Sequence, residues 1–190
     1  WEGDPKLSLL RYLREEAGII SAKDGCSPQA ACGCCAVELD GKVVLSCVIA
    51  MDKVDGGSVV TTEGLEDRVQ RALTDAFVEH GAAQCGFCIP GIALRAANLL
   101  AENPAPTEGE IRTALNQHLC RCTGYQKIIE AIEATGRALS NGGVVPTNGQ
   151  HTGRIGTRLP KYDMRDVVLG YRPYVADMTL DGMLHGALKR

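Results

Sequence analysis

The sequence predicts an α+β fold, in which a small mixed unit is followed by a helical unit. Three observations support this: leucines at helical spacing near the start, an Asp40-Gly41 turn between two short apolar runs, and several amphipathic stretches after residue 62. Helices and strands that occupy separate parts of a chain are typical of the α+β class. We therefore divide the chain near residue 62.

Residues 1–62 contain the predicted helix and strands of the small unit. A helix is expected over residues 4–16, because Asp4 can cap its first turn and Pro5 suits the first helical position. Asp-Gly is a strong turn pair in hairpins, so two strands are expected around it, with a third strand later. The predicted strands are Ala36–Leu39, Lys42–Cys47 and Val59-Val60.

Residues 63–139 are predicted to form four helices. The first carries an apolar stripe at helical spacing and stops at Gly81, and the third opens with a capping box formed by Thr107 and Glu110. The predicted helices are Leu65–His80, Pro90–Glu102, Thr107–His118 and Tyr125–Leu139.

The rest of the chain is a predicted linker and a tail. Residues 140–153 are rich in Gly, Asn, Ser and Thr, which is typical of a linker. In residues 154–190 we expect strands at Val167–Leu169 and Tyr174-Val175, but the apolar positions are too few for this tail to fold alone. We expect it to pack within a partner or a continuing domain.

Composition excludes several classes of protein. The 190 residues are 45% hydrophobic with a net charge of −3, and no basic patch carries interleaved aromatics, which argues against a nucleic-acid partner. No apolar run is long enough to span a membrane. No export signal is present, so a cytoplasmic location is expected, although a signal removed upstream of Trp1 would leave the same sequence.

Eight of the nine cysteines form two groups of four, which suits two [2Fe–2S] clusters because each cluster takes four thiolate ligands. The first group ends in a distant fourth cysteine, as in plant-type ferredoxins. In the second group both pairs fall at breaks between helices and can meet at one end of a helical bundle. The groups are Cys26-x5-Cys32-x2-Cys35-x11-Cys47 and Cys85-x2-Cys88 with Cys120-x-Cys122.

Other interpretations of the cysteines remain. An odd count and tight pairs argue against a disulfide framework. Structural zinc is open for the second group, since paired cysteines also build tetrahedral all-thiolate sites. We interpret the ninth residue, Cys34, as a small buried filler, and an assignment that uses it as a ligand remains the rival.

Several motifs resemble one family, the molybdenum hydroxylases of the xanthine dehydrogenase and aldehyde oxidoreductase type. The resemblance implies a β-grasp ferredoxin-like domain (1–62), a four-helix [2Fe–2S] domain (63–139) and the start of a molybdopterin-binding domain (154–190). The segments that carry it are Gly25–Cys35 with Cys47, Gln84–Gly91, Cys120–Tyr125, Leu159–Asp163 and Gly182–His185.

The chain departs from the family pattern at two places. Cys26 and Cys32 are separated by five residues rather than four. The strand hairpin that precedes the first helix in the family is absent before Asp4. We therefore expect a segment of a larger polypeptide or a split subunit.

The resemblance implies electron transfer without turnover by this chain alone. Electrons would leave a molybdenum–pterin centre through the cluster of the helical domain and then the ferredoxin-like cluster, with Gln84 and Cys122 lying against the pterin. No flavin domain follows the linker, so an external acceptor such as a flavoprotein or a ferredoxin is expected. Whether the substrate is a purine, an aldehyde or another heterocycle stays open.

Two other classes of function compete with this one. The chain could be an autonomous carrier with two clusters, for which an unclosed apolar tail would have no use. It could also be a zinc-stabilised interaction module, which would be colourless because zinc thiolates do not absorb visible light.

Overall fold

The computed structural model describes residues 2–142, 144–146, 152–157, 159–184 and 186–189. Residues 143 and 147–151 of the predicted linker, and His185 of the last motif, lie outside this set. No described helix is long and apolar enough to cross a bilayer.

The helices are α1 (Leu9–Arg11, continued by the π-helical turn Tyr12–Glu16), α2 (Asp67–His80), α3 (Ile89–Glu102), α4 (Glu108–Ala114), α5 (Gln126–Ser140) and α6 (Met164–Leu169). The strands are β1 (Ala36–Leu39), β2 (Lys42–Leu45) and β3 (Val59–Val60).

The three strands form a small antiparallel sheet in the order β2-β1-β3, as the α+β prediction requires. Asp40 and Gly41 both have positive φ, 49° and 79°, which is the geometry of the tight turn that matches strand twist. The register pairs Ala36 with Leu45. The hairpin is therefore confirmed, but β2 ends at Leu45, and Cys47 lies in the 3-10 turn that follows.

The first helix begins at Leu9, so the prediction that Asp4 caps it was wrong. Asp4 to Leu7 form a turn, in which the Leu7 N–H donates to the Asp4 carbonyl, and Ser8 after it is extended. Ser8 forms a bridge with Ala50, and the Leu9 N–H donates to the Ile49 carbonyl at 2.7 Å. The Ser8 hydroxyl then accepts the cap bond of the helix. Pairing with a distant segment thus outweighs the local capping preference.

The helical unit is described throughout and contains four α-helices, α2 to α5. The capping box of Thr107 and Glu110 is present. Helix α4 stops at Ala114 rather than at the predicted His118, because the chain tightens into a turn in which the His118 N–H donates to the Leu115 carbonyl.

The strands predicted in the tail were wrong. Val167–Leu169 belongs to helix α6, and Val175 begins a single 3-10 turn that ends at Asp177. Met164, Val167 and Val168 recur at helical spacing and are buried against α2 and α3. Packing of that apolar face outweighs the strand preference of the β-branched valines.

The tail divides into a packed part and an exposed part. Residues 164–177 pack on the chain's own core, contrary to the expectation that the whole tail would pack elsewhere. Beyond Asp177 the described residues form neither helix nor strand, and their apolar side chains are exposed. The exposed apolar residues are Met178, Leu180, Met183, Leu184 and Leu188.

Helix α3 packs against both units and contributes residues to both cores. Its Leu94 belongs to the core of the small unit, while its other apolar residues belong to the helical core. A Cβ added at Gly91 would lie 2.5 Å from the carbonyl oxygen of Gly33, so the helix backbone touches the first cysteine loop directly. The Asn98 amide also donates to the Gly41 carbonyl at 3.1 Å.

We predict that Gly91→Ala destabilises the protein by about 1–3 kcal/mol, because the new methyl group must displace the backbone of Gly33. The matched control is Gly109→Ala on α4, where the added Cβ would meet only the Thr107 hydroxyl, at 4.0 Å. That control should gain up to about 1 kcal/mol from helix propensity. Denaturant unfolding of both variants checks this, and equal stability of the two would contradict the contact.

Candidate metal centres

Hairpin register brings two cysteines of the first group together. Cys35 directly precedes β1 and Cys47 is the second residue after β2, so the pairing of these strands brings them close together. The Ser46 hydroxyl donates to the Cys35 carbonyl at 2.7 Å and fixes this end of the hairpin. Cys35 and Cys47 are both buried.

The four thiols of the first group lie as two pairs. The Cys26 thiol is within hydrogen-bond reach of the Cys32 thiol, and the Cys35 thiol of the Cys47 thiol. The Cys32 thiol is also within reach of the Cys34 thiol. Backbone N–H groups, first that of Ala31, lower the pKa of Cys26 to about 7. Burial raises the pKa of Cys35 to about 12, so a metal must displace the proton of that buried thiol.

The loop around this group is shaped by small residues in unusual backbone conformations. A Cβ added at Gly25 would lie 3.0 Å from the Cys32 sulfur and 3.2 Å from the Cys34 sulfur. Ser27 and Ala30 have positive φ, 44° and 52°, which curves the chain around the Cys26 thiol. Such a loop directs N–H groups at sulfur, which favours negatively charged thiolates.

Cys34 lies between the two cysteine groups. It is buried, its thiol donates to the carbonyl of Cys32 at 3.8 Å, and burial raises its pKa. Cys32 and Cys34 belong to the same apolar core as Cys88 of the second group. The sequence did not show this location.

The second group repeats the paired arrangement, with Cys88 at the N-terminus of α3. The Cys122 thiol donates to the Cys85 sulfur at 3.6 Å, and the Cys88 and Cys120 thiols are within hydrogen-bond reach. Cys85 and Cys122 are exposed, whereas Cys88 is buried. Among the described residues, no set of three or more Cys, His, Asp or Glu side chains surrounds a single metal-ion position.

Residues after the Cys120 loop hold it in place. The Tyr125 hydroxyl accepts from the Cys120 N–H at 2.8 Å and donates to the His118 carbonyl at 3.0 Å. The Thr123 hydroxyl lies 3.1 Å from the Cys120 sulfur. Burial acts to raise the pKa of Cys120, but hydrogen bonds from Thr123 outweigh it and the pKa lies below its ordinary value. The sequence motif contained Thr123 and Tyr125, but their roles were missed.

Gln84 and Cys122, which the family resemblance assigns to pterin contact, are neighbours in the structure. The Gln84 amide donates to the Cys122 carbonyl at 2.7 Å. Both residues are exposed, as is Cys85 between them in space. These three residues form a polar face that is open to a partner.

A backbone hydrogen bond joins the two cysteine loops. The Leu119 N–H donates to the Cys32 carbonyl at 2.9 Å, so one ligand position is linked to the residue next to Cys120. His118 is buried beside Gly33, and burial lowers its pKa to about 4, which keeps the ring neutral. Its Nδ1 atom has no hydrogen-bond partner among the described residues.

Comparison with known proteins finds one matching family model and relatives over most of the chain. A family described as a [2Fe-2S] binding domain matches residues 61–133. The small FeS subunit of nicotinate dehydrogenase from Eubacterium barkeri is 44% identical over 68% of this chain and 82% of its own length. The aldehyde oxidoreductase of Megalodesulfovibrio gigas is 38% identical over 97% of this chain, which spans 22% of that protein.

A solved structure agrees with these relatives. The crystal structure of the aldehyde oxidoreductase from Desulfovibrio desulfuricans superposes with a TM-score of 0.83 at 36% identity. The match covers 92% of this chain and 20% of that one. The chain belongs to the iron–sulfur portion of the molybdenum hydroxylases, the xanthine dehydrogenase and aldehyde oxidoreductase family.

Proposed function

We propose that the chain carries electrons from a molybdenum–pterin centre through two [2Fe–2S] clusters to an external acceptor. The observation that supports this best is two sets of paired thiols whose loops are joined by a backbone hydrogen bond between Leu119 and Cys32. The proposed ligands are Cys26, Cys32, Cys35 and Cys47 for one cluster, and Cys85, Cys88, Cys120 and Cys122 for the other.

The residues fit a cluster with two irons. A [2Fe–2S] cluster takes two thiolates per iron and, when bound, accepts and releases one electron. Both groups present their thiols as two pairs, in keeping with that ligand count. The backbone of the Cys26 loop supplies N–H donors that favour added negative charge.

The exposures of the two groups support a direction of transfer. Gln84, Cys85 and Cys122 lie together at the surface, and we propose that this face contacts the pterin of a molybdopterin-binding chain or domain. The first group would then be distal and pass electrons to a flavoprotein, a ferredoxin or a similar carrier. Cys26, which is the least buried thiol of that group, faces the acceptor in this proposal.

We propose the domain limits 1–62, 63–139, 140–153 and 154–190, the last being the start of a molybdopterin-binding domain. The exposed apolar residues after Asp177 support a continuation or partner that covers them. In an autonomous carrier these apolar residues would stay exposed to solvent, so we favour a chain that is assembled with a molybdopterin-binding partner or domain. The paired thiols and the FeS subunit among the relatives favour iron over structural zinc.

Co-purification tests the proposed function. When the protein is purified from its native source, the chain should co-isolate with a molybdenum-containing chain or be part of one. The product should be brown. A colourless, zinc-containing product would contradict the iron assignment. A brown chain that purifies alone and reacts fully with acceptors would favour the autonomous carrier.

We predict that Cys35→Ala loses one cluster, and with it about half of the bound iron, because each cluster holds two irons. Cys34→Ala is the matched control from the adjacent position and should keep all of the iron and colour. Iron content and visible absorption measure both variants. Loss of a cluster in the Cys34 variant would establish the rival ligand set.

We predict that Cys120→Ala removes one of two paramagnetic signals of the reduced protein. The control, Thr123→Val, should keep both signals but lower the midpoint potential of that same cluster, because a thiolate can only accept the hydrogen bond from the Thr123 hydroxyl, and the bond favours the reduced state. Electron paramagnetic resonance during a redox titration reads both effects. One signal in the wild-type chain would refute the second cluster.

A further inference from the structure

A buried ion pair attaches the tail to the first unit. The Asp177 carboxylate, 1% exposed, accepts from the Lys23 ammonium at 2.9 Å and from the Arg14 guanidinium. Lys23 is fully buried, and it lies three residues before Cys26. A buried ammonium without a partner is strongly unfavourable, so Lys23 can stay buried only while Asp177 lies beside it.

The same turn attaches the tail to the second cysteine loop. The Tyr174 hydroxyl donates to the Cys85 carbonyl at 2.6 Å, and its ring packs edge-on against Phe87 with centroids 5.3 Å apart. The Lys23 ammonium lies 4.9 Å from the Tyr174 ring centroid, within cation–π range. Tyr174 therefore lies between the buried cation of one unit and the Cys85–Cys88 loop of the other.

Two glycines allow this close approach. A Cβ added at Gly170, whose φ is 82°, would lie 2.6 Å from the Ser21 backbone and 3.0 Å from Pro90. Ser21 belongs to the first unit and Pro90 to the second, so this single residue touches both. At Gly86 an added Cβ would run into Val167 of α6. No side chain fits at either position unless the segment moves away.

Resting on the proposed function, we propose that the segment 164–177 is a clasp that holds the two cysteine loops at a fixed distance and orientation. Asp177 and Tyr174 are its positioning residues. Asp177 anchors the clasp to Lys23 and Arg14. Tyr174 holds the Cys85 loop in position through the hydrogen bond to the Cys85 carbonyl. The rate of electron transfer between two centres falls steeply with their separation. A rigid clasp keeps that separation constant while the rest of the tail joins a partner.

The Tyr174→Phe variant tests the Cys85 attachment in the full, cluster-loaded chain. It keeps the ring and both ion pairs and removes only the hydroxyl donor. The Ile89 amide, which donates to the Gly86 carbonyl at 3.0 Å, should exchange with solvent about threefold to tenfold faster, the range expected for one lost hydrogen bond. The splitting that the two reduced clusters cause in each other's paramagnetic resonance signals should also become broader, because the distance and orientation between the clusters vary more.

Asp177→Asn tests the anchor. The Lys23 amide, which donates to the Cys34 carbonyl, and the Ile89 amide should both exchange at least about tenfold faster, since the buried ammonium loses its charged partner. The control is Asp181→Asn, an exposed carboxylate in the same tail, which should change neither loop. If Asp177→Asn does not fold, Tyr174→Phe decides the question alone.

Faster exchange confined to residues 170–177, with both loops and the magnetic interaction unchanged, would overturn the clasp. Iron content is measured separately on the same samples. Fewer than two clusters per wild-type chain would refute the proposed function, whereas the exchange of the two loops would still report on the clasp.

Discussion

The N–H of Leu119 donates to the carbonyl of Cys32, and this hydrogen bond holds the two cysteine loops against each other. The contact is possible only because the adjoining backbone carries no side chain: a Cβ at Gly33 would meet the backbone of Gln117 and His118, and one at Gly91 would meet Gly33. The two cysteine loops are therefore joined through main-chain atoms rather than through a side chain.

Burial determines which thiols of the two groups hold their protons. Apolar surroundings raise the pKa of Cys35 and of Cys88, so these candidate ligands hold protons in the absence of a metal. At the outer ends of the two groups, Cys26 is half-buried and Cys122 is exposed. Each group thus combines buried thiols with more accessible ones.

Local signals in the sequence predicted much of the fold. Asp40-Gly41 predicted the hairpin, Gly81 the end of α2, and Thr107 with Glu110 the start of α4, because each acts within a few residues. Long-range contacts decided the rest. Pairing of Ser8 with Ala50 delayed the first helix, and burial against α2 and α3 made Val167–Leu169 helical. Cysteine spacing named eight candidate ligands, but the contact between their loops and the role of Tyr174 depend on residues far apart in sequence.

Mössbauer spectroscopy of the ⁵⁷Fe-enriched chain, with analysis of acid-labile sulfide, tests most directly that the paired thiols hold two binuclear clusters. The account predicts four irons and four sulfides per chain, all ferric when oxidised. On full reduction, half of the iron should become ferrous, one iron in each cluster, with two distinguishable environments. A spectrum of isolated iron ions without sulfide, or two irons in a single environment, would contradict the account.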